Sequence, residues 1–188
     1  MANDEPEPTR ALVARVRAGD SRAAELLVRR HLRAAYAVAL SVVRDVAEAE
    51  DVAQDAFAIA LSRLDTCRDP DRFSGWLLRI VRRQSLNAAV RARGRGATLE
   101  LSAAADVGVP GAAERGDLRA RLLAALDRLT PAQREVVLLH DLEGFTHLEI
   151  AEALDMSEVS SRQHLFNARR ALRALLDGSA PPEALHGP

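Results

Sequence analysis

The chain has 188 residues, enough for one medium domain or two small ones, and its 48% hydrophobic content can fill real cores. Aromatic residues make up only 3%, so those cores are built from Leu, Val and Ala, which favours helices over sheets and predicts an all-α protein. The net charge of -1 hides the fact that all 26 basic residues are Arg, a usage that suits phosphate recognition but, beside so much Ala, fits a GC-rich genome better.

The opening residues 1–9, with Asp4, Glu5, Pro6, Glu7 and Pro8, read as a disordered tail. A short helix through Leu12, Val13 and Val16 is expected to end at Gly19. A long helix then starts at Asp20 or Ser21 and reaches Val43, with Leu26, Leu27, Leu32, Tyr36 and Leu40 as its apolar stripe. The next covers about Ala47 to Leu64, with Val52, Ala56, Ile59 and Ala60 inward and acids near its start, where the helix dipole favours them. A breaker-rich loop, Arg68 to Arg72, precedes a fourth helix from about Asp71 to Arg91 that buries Phe73, Trp76, Leu77, Ile80 and Val81. From Gly94 to Gly116 the pattern dissolves into Gly, Ala, Ser and Pro, which reads as a flexible linker. Two small helical domains follow, 10–93 and 117–176, with a second disordered tail at 177–188.

In the second domain Asp117 caps a helix carrying Leu118, Leu122, Leu123, Leu126 and Leu129. Thr130-Pro131-Ala132-Gln133 has the spacing of a capping box and opens a helix that should stop at Gly144. Thr146-His147-Leu148-Glu149 repeats the box and opens a short helix to Leu154 with Ile150, Ala151 and Leu154 on one face. After an Asp155-Met156 turn, Ser157 caps a helix whose leading turns carry Ser160, Ser161, Arg162, Gln163, His164 and Asn167. These donors and acceptors suit phosphates and base edges of a major groove. Any small bundle also has capped helices and a solvated polar face, so the helix-turn-helix reading needs support from the rest of the chain.

Two constellations supply it. Asp51, Gln54 and Asp55 stand three and four residues apart and share one helix surface, either an ordinary solvated acidic face or an interface. Between Arg79 and Arg95 there is no acid, so Arg79, Arg82, Arg83 and Asn87 lie on a basic helix that starts with Phe73 and Trp76. Such a surface suits a nucleic-acid backbone, against the alternative of a core Trp with solvated Arg residues.

In this order, from about Leu12 to Leu176, the segments resemble the extracytoplasmic-function sigma factors, the compact group of the bacterial sigma-70 family of RNA polymerase initiation factors. The Asp51 to Asp55 segment is similar to region 2.2, Phe73 to Arg83 to regions 2.3 and 2.4, and Leu126 to Leu172 to region 4. The resemblance implies that Asp51, Gln54 and Asp55 dock on the coiled coil of the polymerase β′ clamp, with the β subunit as a further contact. It implies that the loop from about Cys67 to Ser74 captures an extruded base of the minus-ten element. Arg72, Ser74, Arg79, Arg82, Arg83 and Asn87 would then hold DNA around the opening, and unstacking a base costs a few kcal/mol. It places His140, Ser160, Ser161, Arg162, Gln163, Phe166 and Asn167 at the minus-35 element, and it implies an anti-sigma factor as partner. Many members carry a Gly-Thr-Val-Lys-Ser-Arg-like run where this chain has Val159-Ser160-Ser161-Arg162-Gln163-His164, and His140 replaces a frequent Arg. Neutral His140, His164 and Asn167 weaken generic phosphate attraction.

No nucleophile, base and orienting group converge, so no enzyme activity, catalytic residue or cofactor is expected. The five His lack metal-binding spacing. Cys67 is the only cysteine, which excludes an intrachain disulfide, fits a reducing cytoplasm and leaves a thiol expected to be inert. No run approaches the ~20 apolar residues of a membrane span, so the protein is expected to be soluble, cytoplasmic and unprocessed. The rival functions are a two-domain regulator that never joins the polymerase and an interaction protein that sequesters another regulator. A ligand-sensing domain has no reason to carry both the acidic and the basic face.

Overall fold

The computed structural model describes residues 7–94, 121–122 and 124–176, and every regular element among them is helical. Most of the expected linker, the Asp117 cap and the C-terminal tail lie outside the described residues. The N-terminal bundle comprises α1 (Thr9–Arg17), α2 (Ser21–Val43), α3 (Val46–Ser62) and α4 (Phe73–Gly94). Its punctuation is chemical. Gly19 turns the chain at φ +91, a conformation that favours glycine, and the Asp20 carboxylate then accepts from the Arg22 and Ala23 N–H groups at 3.0 and 3.1 Å. Arg15 also donates to Asp20, and this pairing holds its carboxyl below the usual carboxylate range. Asp45 caps α3 through the Glu48 N–H at 2.8 Å. Between α3 and α4 lie two 3-10 turns, Leu64–Thr66 and Pro70–Arg72; α1 holds the first through Arg17, which donates to the Leu64 and Cys67 carbonyls at 3.0 and 2.5 Å, and the second through Arg10, which pairs with Asp71.

The core interleaves alanines with Leu, Val and Phe. Ala23, Leu27, Ala34, Ala35 and Val38 of α2 face Val52, Ala56, Phe57 and Ala60 of α3 and Phe73, Leu77, Leu78 and Val81 of α4. The stripe expected on α2 is therefore partly wrong: Leu27 is buried, but Leu26 and Leu32 are 41% and 44% exposed. Alanines mark the inward face here, because packing α2 closely against its neighbours favours small side chains over large ones. On α4, Trp76 and Ile80 are half-buried, while Leu78 is fully inside.

His31 sits inside α2 with its ring 5.1 Å from that of Phe73 and its Nδ1 3.5 Å from Ser74 Oγ. Burial, with the nearby Arg30 charge, pushes its pKa down to about 4. The folded value is below the unfolded one, so the contribution of neutral His31 is complete above pH 6.5 and is lost as pH falls toward 4. The loss is on the order of 3 kcal/mol, at 1.36 kcal/mol per pKa unit. As pH drops from 7 to 4, the thermal midpoint of wild type should fall relative to that of His31→Leu, whichever is higher at pH 7; parallel curves would exclude His31 as the titrating group.

The C-terminal unit holds α5 (described at residues 121–122 and 124–127), α6 (Pro131–Val137), α7 (His147–Leu154) and α8 (Glu158–Leu176). Both expected capping boxes form: Thr130 with Gln133, and Thr146 with Glu149. Helix α6 runs on through a π turn, Leu138–Leu142, and the chain reverses at Gly144 with φ +75. Asp155 in the left-handed region separates α7 from α8, and Ser157 Oγ accepts the Ser160 N–H at 3.0 Å. The two units do not stand apart. Helix α7 packs on α4 and α6 on α2, and Val136, Leu139, Ile150 and Leu165 join the same apolar cluster as the bundle core.

Candidate nucleic-acid and polymerase interface

Helix α3 turns Ala49, Val52, Ala53 and Ala56 inward, which leaves Asp51, Gln54 and Asp55 exposed on its outer surface. Beside them runs a groove of about 390 Å³ lined by Leu32, Arg33 and Tyr36 of α2 and by Glu50, Ala53 and Gln54 of α3. Leu32 is thus a groove wall and not core. Sequence reasoning placed it on the wrong face, and the only available signal was that Ala23, Leu27, Ala34 and Val38 already make a complete inward stripe.

At the start of α4 the chain builds a tight corner. Asp69 accepts the Asp71 N–H at 3.0 Å, and the buried Cys67 thiol lies 3.4 Å from the Asp69 carbonyl. Burial pushes the Cys67 thiol up, away from the reactive thiolate. Trp76 stacks at a tilt on Phe73, centroids 5.8 Å apart, and is only half-buried. Arg79, Arg83 and Asn87 are exposed along α4. Arg72 and Arg82 are engaged, since Arg72 Nη1 donates to Glu152 at 2.5 Å and Arg82 Nε lies 3.3 Å from both oxygens of Glu135. Burial raises the Glu135 pKa and Arg82 opposes that shift. Ser74 Oγ faces His31.

On the helix-turn-helix, α8 presents Arg162, Gln163 and Phe166 to solvent, with Asn167 half-exposed beside them. Gln163 Nε2 donates to Asn167 Oδ1 at 3.2 Å, so the two carboxamides are held as a pair. Arg162 donates to Glu158 at 2.6 Å, and the Arg170 guanidinium lies 5.9 Å from the Phe166 ring centre. Ser160 Oγ meets Ser157 Oγ at 2.9 Å. Ser161 corrects an expectation: it is fully buried, and its hydroxyl is committed to His147 Nδ1 at 2.9 Å. It follows Ser160 by one residue, which rotates it about 100° from the groove-facing stripe into the α7 contact. His140 sits in the middle of the π turn, its Nδ1 3.0 Å from Asp141 Oδ1 and its ring 4.7 Å from that of His147. Asp141 also pairs with Arg169, and that hydrogen bond is the main cause of its lowered pKa.

Sequence reasoning missed the residues that join the two units. Arg134 and Glu135 are both buried, and Arg44 pairs with Asp127 at 2.5 Å. An adjacent Arg-Glu in an otherwise apolar helix run is their one local signal. Among the described residues no group of three His, Cys, Asp or Glu could hold a metal, and no helix is long and apolar enough to cross a membrane.

A helical bundle with one acidic and one basic face, followed by a helix-turn-helix, is the architecture of a two-part promoter-binding protein. Residues 27–95 match the family described as Sigma-70 region 2, and residues 119–172 match Sigma-70, region 4. The chain is 30% identical over 181 residues to the ECF RNA polymerase sigma-E factor of Escherichia coli, covering 86% of this chain and 90% of that protein. It is 33% identical to a probable RNA polymerase sigma factor, RfaY, of Xanthomonas campestris, of which it spans only 36%. Among solved structures it is similar to CnrH in complex with the cytosolic domain of CnrY, with a TM-score of 0.68, 32% identity, and coverage of 92% of this chain and 99% of that one. The chain belongs to the extracytoplasmic-function group of the sigma-70 family.

Proposed function

We infer that the protein is a dissociable promoter-recognition subunit that joins the RNA polymerase core, in the cytoplasm, and directs initiation through the minus-ten and minus-35 elements. The observation that carries this reading is the presence, on one small chain, of an exposed acidic α3 face, a basic α4 face and a helix-turn-helix in that order. Region 2, residues 10–93, uses Asp51, Gln54 and Asp55 for the β′ clamp; the neighbouring groove receives the apolar side of the same contact. The β subunit contributes further contact with core.

The corner before α4 and the strip of Arg72, Ser74, Arg79, Arg82, Arg83 and Asn87 take the melted minus-ten strand. Backbone attraction and base stacking offset the few kcal/mol that unstacking a base requires. Region 4, residues 117–176, enters the minus-35 major groove with Ser160, Arg162, Gln163, Phe166 and Asn167, while His140 approaches the backbone. Catalysis of RNA synthesis remains with the polymerase. RpoE of Bartonella quintana is captured with the anti-sigma factor NepR, and CnrH with the cytosolic domain of CnrY, which supports an anti-sigma partner here.

Transcription from a cognate promoter with purified core polymerase tests the whole reading. Dependence of promoter-specific transcripts on this chain is expected, and binding to a promoter without any transcript would return the regulator reading. At finer grain, a good side-chain to base contact contributes ~1 to 3 kcal/mol of discrimination. Gln163→Ala holoenzyme selected on a randomised minus-35 library should therefore change preference at one or two adjacent positions. Identical selected sequences from both proteins would remove Gln163 from the reading set.

A further inference from the structure

The outward strip of α8 is narrow and mostly neutral. Leu165 and Ala168 are 5% and 0% exposed and turn inward, which leaves Arg162, Gln163, Phe166 and Asn167 on the outer side of the helix. Arg162 already donates to Glu158 at 2.6 Å, so its guanidinium meets DNA with a carboxylate attached. Gln163 and Asn167 stand one helical turn apart, and Gln163 Nε2 donates to Asn167 Oδ1 at 3.2 Å.

What that bond spends decides what the pair offers. A carboxamide has two N–H donors on nitrogen and two lone pairs on oxygen. Asn167 Oδ1 gives one lone pair to Gln163 and keeps the other, beside an Nδ2 whose N–H groups the bond does not use. One acceptor and one donor therefore stand side by side at the tip of Asn167. Adenine carries the complement on its major-groove edge, a donor at N6 and an acceptor at N7, whereas guanine presents two acceptors, O6 and N7. Against guanine, Oδ1 meets a second oxygen. The amide of Asn167 cannot turn over to escape that clash unless Gln163 turns over with it.

We propose that Asn167 reads one adenine of the minus-35 element, accepting from the N6 amino group and donating to N7, and that Gln163 is the positioning residue that holds its amide in the adenine-reading orientation. The proposal rests on the assignment of α8 to the minus-35 major groove. The two carboxamides act as one reader, so the base they select is set jointly. A guanidinium in place of Asn167 would select guanine instead, because it donates to O6 and N7 together.

Holoenzyme assembled from the full chain and purified core polymerase is selected on duplex promoters with a randomised minus-35 element. Wild type should enrich adenine at least about fivefold over guanine at one position, where Asn167→Arg reverses the preference to guanine and leaves the other positions as they were. Gln163→Ala should keep adenine first at that position but narrow the adenine-to-guanine ratio at least about threefold. A base analogue separates contact from DNA shape. The 7-deaza form of adenine, placed at that position, keeps Watson–Crick pairing and removes only the N7 acceptor. It should weaken binding by wild-type holoenzyme at least about threefold and leave binding by Asn167→Ala holoenzyme, which has no amide to lose, as it was. Selected sequences unchanged in Asn167→Arg, a base other than adenine at the position it alters, or an equal response of both proteins to the analogue overturns the proposal. Transcripts from the selected promoters are measured with wild-type holoenzyme. Their absence refutes the sigma-factor reading and the proposal with it, whereas promoter-specific transcripts with an unchanged Asn167→Arg selection refute only the adenine contact.

Discussion

Charge reversal at Asp51 and Asp55, both to Arg, is expected to abolish binding to core polymerase while leaving helical content unchanged. Both side chains project from α3 into solvent, and neither is in an ion pair among the described residues, so the fold loses no contact when they are replaced. The inward neighbours Val52, Ala53 and Ala56 are untouched. Like charges set against each other across an interface cost several kcal/mol, which at 1.4 kcal/mol per factor of ten corresponds to a loss of about a hundredfold or more. Leu32→Ala, in the adjoining groove, removes apolar area without changing charge and should weaken binding far less. A pull-down with core polymerase together with far-ultraviolet circular dichroism measures both terms. Normal affinity in the double variant would refute the assignment of this face to the clamp.

What the sequence revealed and what it concealed divide along physical lines. Helix starts were legible wherever a side chain satisfies an orphan N–H nearby: Asp20 before α2, Thr130 with Gln133, and Thr146 with Glu149. Those signals are local, so they survive without knowledge of the fold. The inward face of α2 was misread because large side chains were given more weight than alanines, and Leu32 proved to be surface. Ser161 was misread because a polar residue beside Ser160 and Arg162 shares their composition but not their direction; only the α7 contact shows that its hydroxyl is buried on His147. The seam between the regions was invisible. Arg72 with Glu152, Arg82 with Glu135 and Arg44 with Asp127 join residues 53 to 83 positions apart, and each charge read alone suggests solvent. Read as a linker, the stretch after α4 also implied two independent bodies, whereas the apolar cluster runs through both.

Arg134→Ala is expected to be the most destabilising single substitution in region 4. Arg134 is 5% exposed, and its guanidinium donates to four carbonyls: Leu126 at 2.9 Å, Asp127 at 3.3 Å, Leu129 at 3.1 Å and Ser41 at 2.8 Å. Ser41 lies in the last turn of α2, Leu126 and Asp127 end α5, and Leu129 lies two residues beyond it, so one cation serves the carbonyls at the ends of two helices. It also sits where two helix dipoles present negative ends. Burial, with Arg44 nearby, lowers its pKa from the usual arginine value, yet a guanidinium stays protonated in proteins. Truncation therefore removes a compensated buried charge and leaves its acceptors dry, a class of change that costs about 3 to 5 kcal/mol. Arg134→Lys keeps the charge but cannot reach four acceptors from one ammonium, so it should recover only part of the loss. Urea unfolding of the three proteins gives the comparison. A midpoint for Arg134→Ala within experimental error of wild type would mean that water replaces the guanidinium at both helix ends, and Arg134 would then lose its role in joining region 4 to α2.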